Sequence, residues 1–351
     1  MRLFVAFLCV SSMLFGAVDH VEESDEPVHL DPHVKSPEEI QKELDSAQRD
    51  YDLAEKMFIP WYTGPLITGS ASNVAPGHVN VAVPVFFVIN HAAYNGNRKS
   101  VNTPNTFTIN PQLYIQPGIT SWLDVALGVQ GDFAWNSSTS SQEFGDMSVA
   151  FGLQLLKGSP HAPSVRLILT EIFPTGRYKN LGGSKANIAA SGGGIYNTTI
   201  GLNINKLFWW AATHPINVRL GTNYSFPNNR ADVSGFHAYG GGNNTSGKVT
   251  VGHVWNLDVG IEVSLTQKWV LANDFVYSYQ TKSAFDGIAG TSPTGAIAIN
   301  GSPSSDQFSI APAVEYNVSS NGGLIVGVWF TITGRNSTNF ATPIVSYSQY
   351  F

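Results

Sequence analysis

Nine charged residues alternate with apolar ones along extended-looking segments: Asp124, Asp132, Asp258, Glu262, Asp274 and Glu315, with Arg166, Arg219 and Lys268. Carboxylates and cations that share one face of such segments can pair with each other and fill an interior. They can also line a passage whose mixed-sign wall sorts solutes by charge and shape. These nine are the candidate solute-contact residues, and the sequence leaves both readings open. Turnover chemistry would ask for more specific company. No G-x-S-x-G or H-E-x-x-H sequence occurs. Residues 242–248 have the spacing of a phosphate loop, but Val249 replaces the Ser or Thr that would hold magnesium, and the segment opens a strand. His253, on an apolar strand face, reads as an interfacial polar residue. His29 and His33 are four apart, yet Pro32 lies between them and no zinc pattern is completed. The expectation is a protein that is not an enzyme, with no metal site and no cofactor.

Those charges need strands to position them. From His78 onward the apolar period is two. Val79, Val81, Val83, Val85, Phe87 and Ile89 share a face. Leu123, Val125, Leu127, Val129, Phe133 and Trp135 oppose Asp124, Ala126, Gly128, Gln130 and Asp132. Trp255, Leu257, Val259, Ile261 and Val263 oppose Asp258 and Glu262, and the same pattern continues through Leu324, Val326, Val328, Phe330 and Ile332. Twelve such strands can be drawn, most of them near the ~9–11 residues that a tilted strand needs to cross a bilayer. Long polar connections at 91–104, 177–193, 227–248 and 282–306 alternate with tight ones at 118–121, 265–267 and 319–322. An even strand count with long loops at one end and short turns at the other is the outer-membrane pattern. The fold expected is all-β: a twelve-stranded antiparallel transmembrane β-barrel preceded by a short N-terminal helix. Aromatic residues gather toward both ends of the strands, with Phe133, Trp135, Tyr224, Phe226, Tyr277 and Tyr279 at the loop end. Phe208, Trp209, Trp210, Trp269, Tyr316 and Phe351 lie at the turn end. His253, Asn273 and Glu171 are exceptions on the outward face. The triple glycines 192–194 and 240–242 read as flexible loop segments.

Residues 1–17 read as a signal peptide: Arg2, an apolar stretch over 3–14, then Gly16 and Ala17. The only cysteine, Cys9, lies inside it, so the processed chain forms no disulfide. Residues 18–57 carry thirteen of the 25 acidic residues and four of the 19 basic ones. They read as an acidic periplasmic spacer and an amphipathic helix. Ser36, Pro37 and Glu39 have the types and spacing of a capping box. Ile40, Leu44, Ala47, Tyr51, Ala54 and Phe58 then follow at heptad spacing. Two readings compete: a coiled coil making a homo-oligomer through residues 37–58, or a helix packed on the barrel or in its mouth. The body, 58–351, is nearly neutral with no basic stripe, which argues against nucleic acid as a partner. Residues 340–351 (FATPIVSYSQYF) put Val345, Tyr347 and Phe351 on one side of a final strand. That resembles the signal by which the barrel-assembly machinery recognises its clients, with Gln349 as a departure.

Trp61-Tyr62-Thr63-Gly64-Pro65, Pro76-Gly77-His78, Gly145-Asp146 and Pro174-Thr175-Gly176-Arg177-Tyr178 resemble motifs of a bacterial outer-membrane family, the phenol-degradation MetA-pathway transporters. The resemblance runs over roughly residues 58–351. It implies a barrel in the outer membrane, surrounded by lipid, that passes small, often hydrophobic, molecules. The acidic helical segment is not part of that pattern. The expected function is passive, selective movement of a small-molecule solute, possibly aromatic, with the N-terminal segment in the periplasm. The alternative is a structural or adhesive surface barrel with a closed lumen.

Overall fold

A computed structural model describes residues 35–57, 64–159, 161–211, 214–266 and 268–351. The signal segment, the acidic spacer as far as residue 34, Trp61-Tyr62-Thr63 and Phe58 lie outside the described residues, as do the side chains of Trp209 and Trp210.

Helix α1 spans Pro37–Met57. Its start is the expected capping box. The Glu39 carboxylate accepts the Ser36 N–H at 2.9 Å, and the Glu39 N–H donates to Ser36 Oγ at 3.2 Å. These bonds hold the Glu39 carboxyl below its usual range.

Sixteen strands follow among the described residues. They are β1 (Val79–Tyr94), β2 (Ser100–Pro117), β3 (Leu123–Trp135), β4 (Ser140–Phe144), β5 (Met147–Leu156), β6 (Ser164–Phe173), β7 (Asn197–Ala211) and β8 (His214–Pro227). Then come β9 (Ala231–His237), β10 (Gly240–Thr250), β11 (Val254–Ser264), β12 (Trp269–Gln280), β13 (Ala284–Ile288), β14 (Ser305–Ser319), β15 (Gly322–Arg335) and β16 (Ser337–Tyr350). Twelve of these form a closed antiparallel barrel in chain order: β1–β3, β5–β8, β11, β12 and β14–β16. Closure is made by β16 on β1. Phe351 and Val79 exchange both backbone hydrogen bonds, at 2.9 and 3.1 Å, so no strand edge is left open at the seam. Leu127, Phe151, Leu271 and Val326 keep 43–49% exposure on the outer face. An apolar band of that kind suits lipid rather than water. No helix among the described residues is long and apolar enough to cross a membrane.

Three expectations about the connections are corrected. Residues 91–104 are not a long loop; β1 and β2 run on as a paired ribbon to a turn at residues 95–99. There the Asn95 carboxamide accepts the N–H groups of Asn97 and Lys99. Beyond the apolar band a ribbon needs no alternation, so its Asn/Thr-rich sequence reads as loop. Residues 227–248 and 282–306 contribute β9, β10 and β13, a separate three-stranded sheet with its own small core of Ala231, Val233, Val249, Val251 and Ile195. The triple glycines are held, not loose. Residues 240–242 open β10, and Gly193 N–H donates to Asp146 at 2.8 Å. The phosphate-loop spacing at 242–248 lies wholly within β10 and precedes no helix. In this sheet His237 is buried, with Nε2 on Asn300 Oδ1 at 2.9 Å and Nδ1 accepting the Tyr239 N–H. Burial lowers its pKa.

Two of the short motifs of the resemblance, Gly145-Asp146 and Pro174–Tyr178, meet in space. Asp146 Oδ1 accepts the Gly176 N–H at 2.8 Å, and Thr175 Oγ1 donates to Gly145 O and accepts the Met147 N–H. Arg177 pairs with Glu143 at 2.8 Å. Together they pin the β6–β7 loop to the break between β4 and β5, which share β3 as their partner.

Candidate functional site: a strap across the lumen

Residues 64–77 form no helix or regular strand and lie inside the barrel, in the half nearer the short turns. The segment is rich in Gly, Ser, Ala and Thr, so it fits between facing walls. Its backbone polar groups have no ladder to join and must be met by wall side chains. Six of the twelve wall strands supply partners. Asp274 on β12 accepts the N–H of Ile67 at 3.2 Å, and the N–H and hydroxyl of Thr68 at 2.9 and 2.6 Å. Ser70 O accepts from Arg166 on β6 and Asn203 on β7. Ala71 O accepts from Ser164 Oγ at 2.7 Å and Gln154 Nε2 at 2.8 Å. Val74 N–H donates to Asp124 on β3 at 2.9 Å, and Ala75 N–H to the Tyr350 hydroxyl on β16. Leu66 packs on Ala272, Ala313 and Ile325. Thr68 is 2% exposed and Ala71 0%.

The expected charged residues divide by what they touch. Asp124 and Arg166 pair at 2.5 Å across β5, where Gly152 has no side chain to intervene. Arg219 pairs with Glu262 through Nε at 2.8 Å and Nη2 at 3.3 Å, and Asn217 Nδ2 donates to the same carboxylate at 2.7 Å. The strap begins against Arg219: a Cβ at Gly64 would lie 2.8 Å from its Nη1. Asp258 lies over Gly221, and Glu315 is fully buried. Six of the nine therefore face one another or the strap, Asp258 through Thr68. Asp132 is half-buried and lines an open cavity instead. Lys268 departs from expectation: it is exposed in the turn between β11 and β12, because β12 begins only at Trp269. Two of the outward exceptions have local partners. Glu171 accepts from Thr198 and Asn228, and His253 Nδ1 lies 2.8 Å from the Tyr224 hydroxyl.

Cavities among the described residues lie to either side of the strap along the barrel. On its turn side is a cavity of about 130 Å³ that reaches Asn80, Gln116 and Asn205. On the loop side is one of about 660 Å³, walled by β1, β2, β3, β14, β15 and β16. A third, of about 370 Å³, adjoins it at Gln307 and Thr338 and leads toward the loop end. Sequence reasoning picked charges and passed over the uncharged lining of the loop-side space. The available signal was the amides at alternate inward positions: Asn110 and Gln112 on β2, and Gln130 on β3.

The arrangement can hold a polypeptide in the lumen through charge-assisted hydrogen bonds. Gly260 tests how tight the fit is. A Cβ there would lie 2.7 Å from Pro65 and 3.1 Å from Thr68. Gly260→Val is expected to displace the strap while leaving the barrel closed. Limited proteolysis of residues 64–77, coupled with heat-modifiable gel mobility, reads both. Unchanged strap protection would show that the segment has slack.

No protein-family model and no curated protein matches the sequence. Among solved structures, the chain is similar to the COG4313 outer membrane channel of Pseudomonas putida F1, with TM-score 0.64 and 10% identity over 81% of this chain and 98% of that one. Looser likenesses include the translocator domain of the autotransporter NalP from Neisseria meningitidis, at TM-score 0.44, 9% identity, and coverage of 88% and 98%. The Pseudomonas putida toluene transporter TodX has TM-score 0.34, 11% identity, and coverage of 78% and 90%. The fold of this chain is that of a closed, twelve-stranded outer-membrane-type β-barrel.

Proposed function

We propose that the chain is an outer-membrane channel of the MetA-pathway transporter type, passing small molecules without turnover chemistry and gated by the strap at residues 64–77. One observation carries the reading: a solute-sized space on the loop side of the lumen is separated from the turn side by a segment held through hydrogen bonds and one leucine. Such a contact can open without unfolding the wall. The mixed-sign residues act first as the strap's anchors, and line the passage once it moves. With the short turns and α1 in the periplasm, the loop-side space faces outward. Planar-bilayer recording of the processed protein tests this. Discrete openings over a closed baseline are expected; insertion with permanent silence would sink it. The extent of strap burial favours one rival, a closed-lumen surface barrel whose loop sheet does the work, and that silence would be its signature.

Two partner proposals accompany the reading. Val345, Tyr347 and Phe351, all outward and exposed, serve as the assembly signal. Phe351→Ala is therefore expected to lower the amount of heat-modifiable barrel in outer-membrane fractions several-fold; wild-type amounts would remove that role. The heptad face of α1 makes a homo-oligomer. Sedimentation of the detergent-solubilised protein should show a mass that falls to monomer when residues 37–58 are removed.

A further inference from the structure

The loop-side cavity has two unlike walls. One is apolar: Trp329 and Phe340 meet edge to face with centroids 4.8 Å apart, flanked by Phe86 and Val88 of β1. Trp329 is fixed by its indole N–H, which donates to Ser309 Oγ at 2.8 Å. The opposite wall is a row of carboxamides. Gln112 Nε2 donates to Asn110 Oδ1 at 2.5 Å, Asn110 Nδ2 to Gly131 O at 2.7 Å, and Gln130 Nε2 to Asp146 O at 3.3 Å. The Tyr114 hydroxyl donates to Gln112 Oε1 at 2.7 Å. These bonds orient the amides without exhausting them, since each primary amide has two N–H donors and two acceptor lone pairs. In them, Gln112 and Gln130 each use a single N–H.

Charge narrows the ligand further. Among the described residues no Lys, Arg or His lines this cavity, and the one ionisable group there is Asp132, with Glu143 as its partner across the strand pair. An anionic solute would meet a carboxylate with no cation to offset it. The volume, about 660 Å³, falls within the range of about 300–1,000 Å³ typical of small-molecule sites. It has room for one or two six-membered rings.

We propose that this cavity is a binding site for a neutral, hydroxylated ring of the sugar type, its C–H face on Trp329 and Phe340 and its hydroxyls on the amide wall. The site deepens the channel reading, on which it rests for its role: with the strap in place, a solute entering from the loop end comes to rest there. A planar apolar solute would cover the half-buried amides without meeting their free donors and acceptors, which costs it the water bonds it displaces.

The test uses three sugars that share a ring and differ in charge: glucose, glucuronate and glucosamine. Saturation-transfer NMR on the full-length protein in detergent is expected to show saturable glucose binding. Glucuronate should bind at least about tenfold more weakly, because like charges brought together inside a site are strongly disfavoured. Asp132→Asn should narrow that gap several-fold without changing glucose binding, a shift that a merely structural role would not produce. Trp329→Leu and Gln130→Leu should each weaken glucose binding at least about fivefold, as removal of a central contact does, with heat-modifiable mobility as the folding control. No saturable glucose signal, glucuronate bound as well as glucose, or phenol bound while glucose is not would each overturn the proposal. Glucosamine bound more tightly than glucose would do the same, by assigning the site to cations. Binding needs no conduction, so the two readings fail separately. Glucose binding to a protein that never conducts would retire the channel alone, and conduction without glucose binding would retire this site alone.

Discussion

Excision of residues 65–74 is expected to turn a barrel that is closed at baseline and opens only briefly into one that conducts continuously. The expected rise in single-channel conductance and in liposome efflux of small solutes is at least about tenfold, because the lumen of a twelve-stranded barrel is wider than the side-chain-filled eight-stranded case. The strap is the obstacle: its backbone is bonded to β3, β5, β6, β7, β12 and β16. A graded version separates gating from damage. Asp274→Ala removes three acceptor contacts to Ile67 and Thr68. Hydrogen bonds to charged groups are worth about 1.5–3 kcal/mol each, so this one change should raise the open fraction markedly while the pore dimension stays the same. Bilayer recordings distinguish longer openings from larger ones. If excision leaves conductance unchanged in a folded barrel, the strap is not the gate and the passage is blocked elsewhere.

The second large effect is on stability. Arg219→Met leaves Glu262 fully buried without its guanidinium, keeping only Asn217 of the contacts described above. Breaking a buried pair by removing one partner costs about 3–5 kcal/mol, whereas replacing both by apolar residues of similar size is often near neutral. The urea midpoint of Arg219→Met should therefore fall sharply, and Arg219→Met with Glu262→Leu should recover most of the loss. A single mutant no less stable than the double would show that water reaches the carboxylate. Because Gly64 abuts Arg219, both variants should also loosen the start of the strap, which the same conductance assay detects.

The two halves of this molecule differ in how far the sequence reveals them. Lipid on one side and a polar lumen on the other impose a period of two, and that period is local. Val326 and Leu127 announce the outer face, and Asp124 and Glu262 the inner one, from their immediate neighbours. Strand number, closure of the last strand on the first, and the inward position of most of the charges could therefore be read directly. The capping box of α1 is equally local, four residues making two reciprocal bonds.

What fills the lumen is not local. Thr68 and Asp274 are 206 residues apart, and Ala75 and Tyr350 are 275 apart. No periodicity marks the strap, because it has no regular structure to be periodic in. Gly152 and Gly260 read as ordinary strand glycines, yet one lets Asp124 reach Arg166 and the other gives Pro65 its place. The sequence by itself determined that a barrel forms and, Lys268 apart, which of the candidate charges point into it, since alternation follows from each strand's own two environments. Only the tertiary structure decided which charges pair, what crosses the lumen and where an amide-walled space remains. Those outcomes depend on strands brought face to face by closure, at distances along the chain that no local pattern encodes.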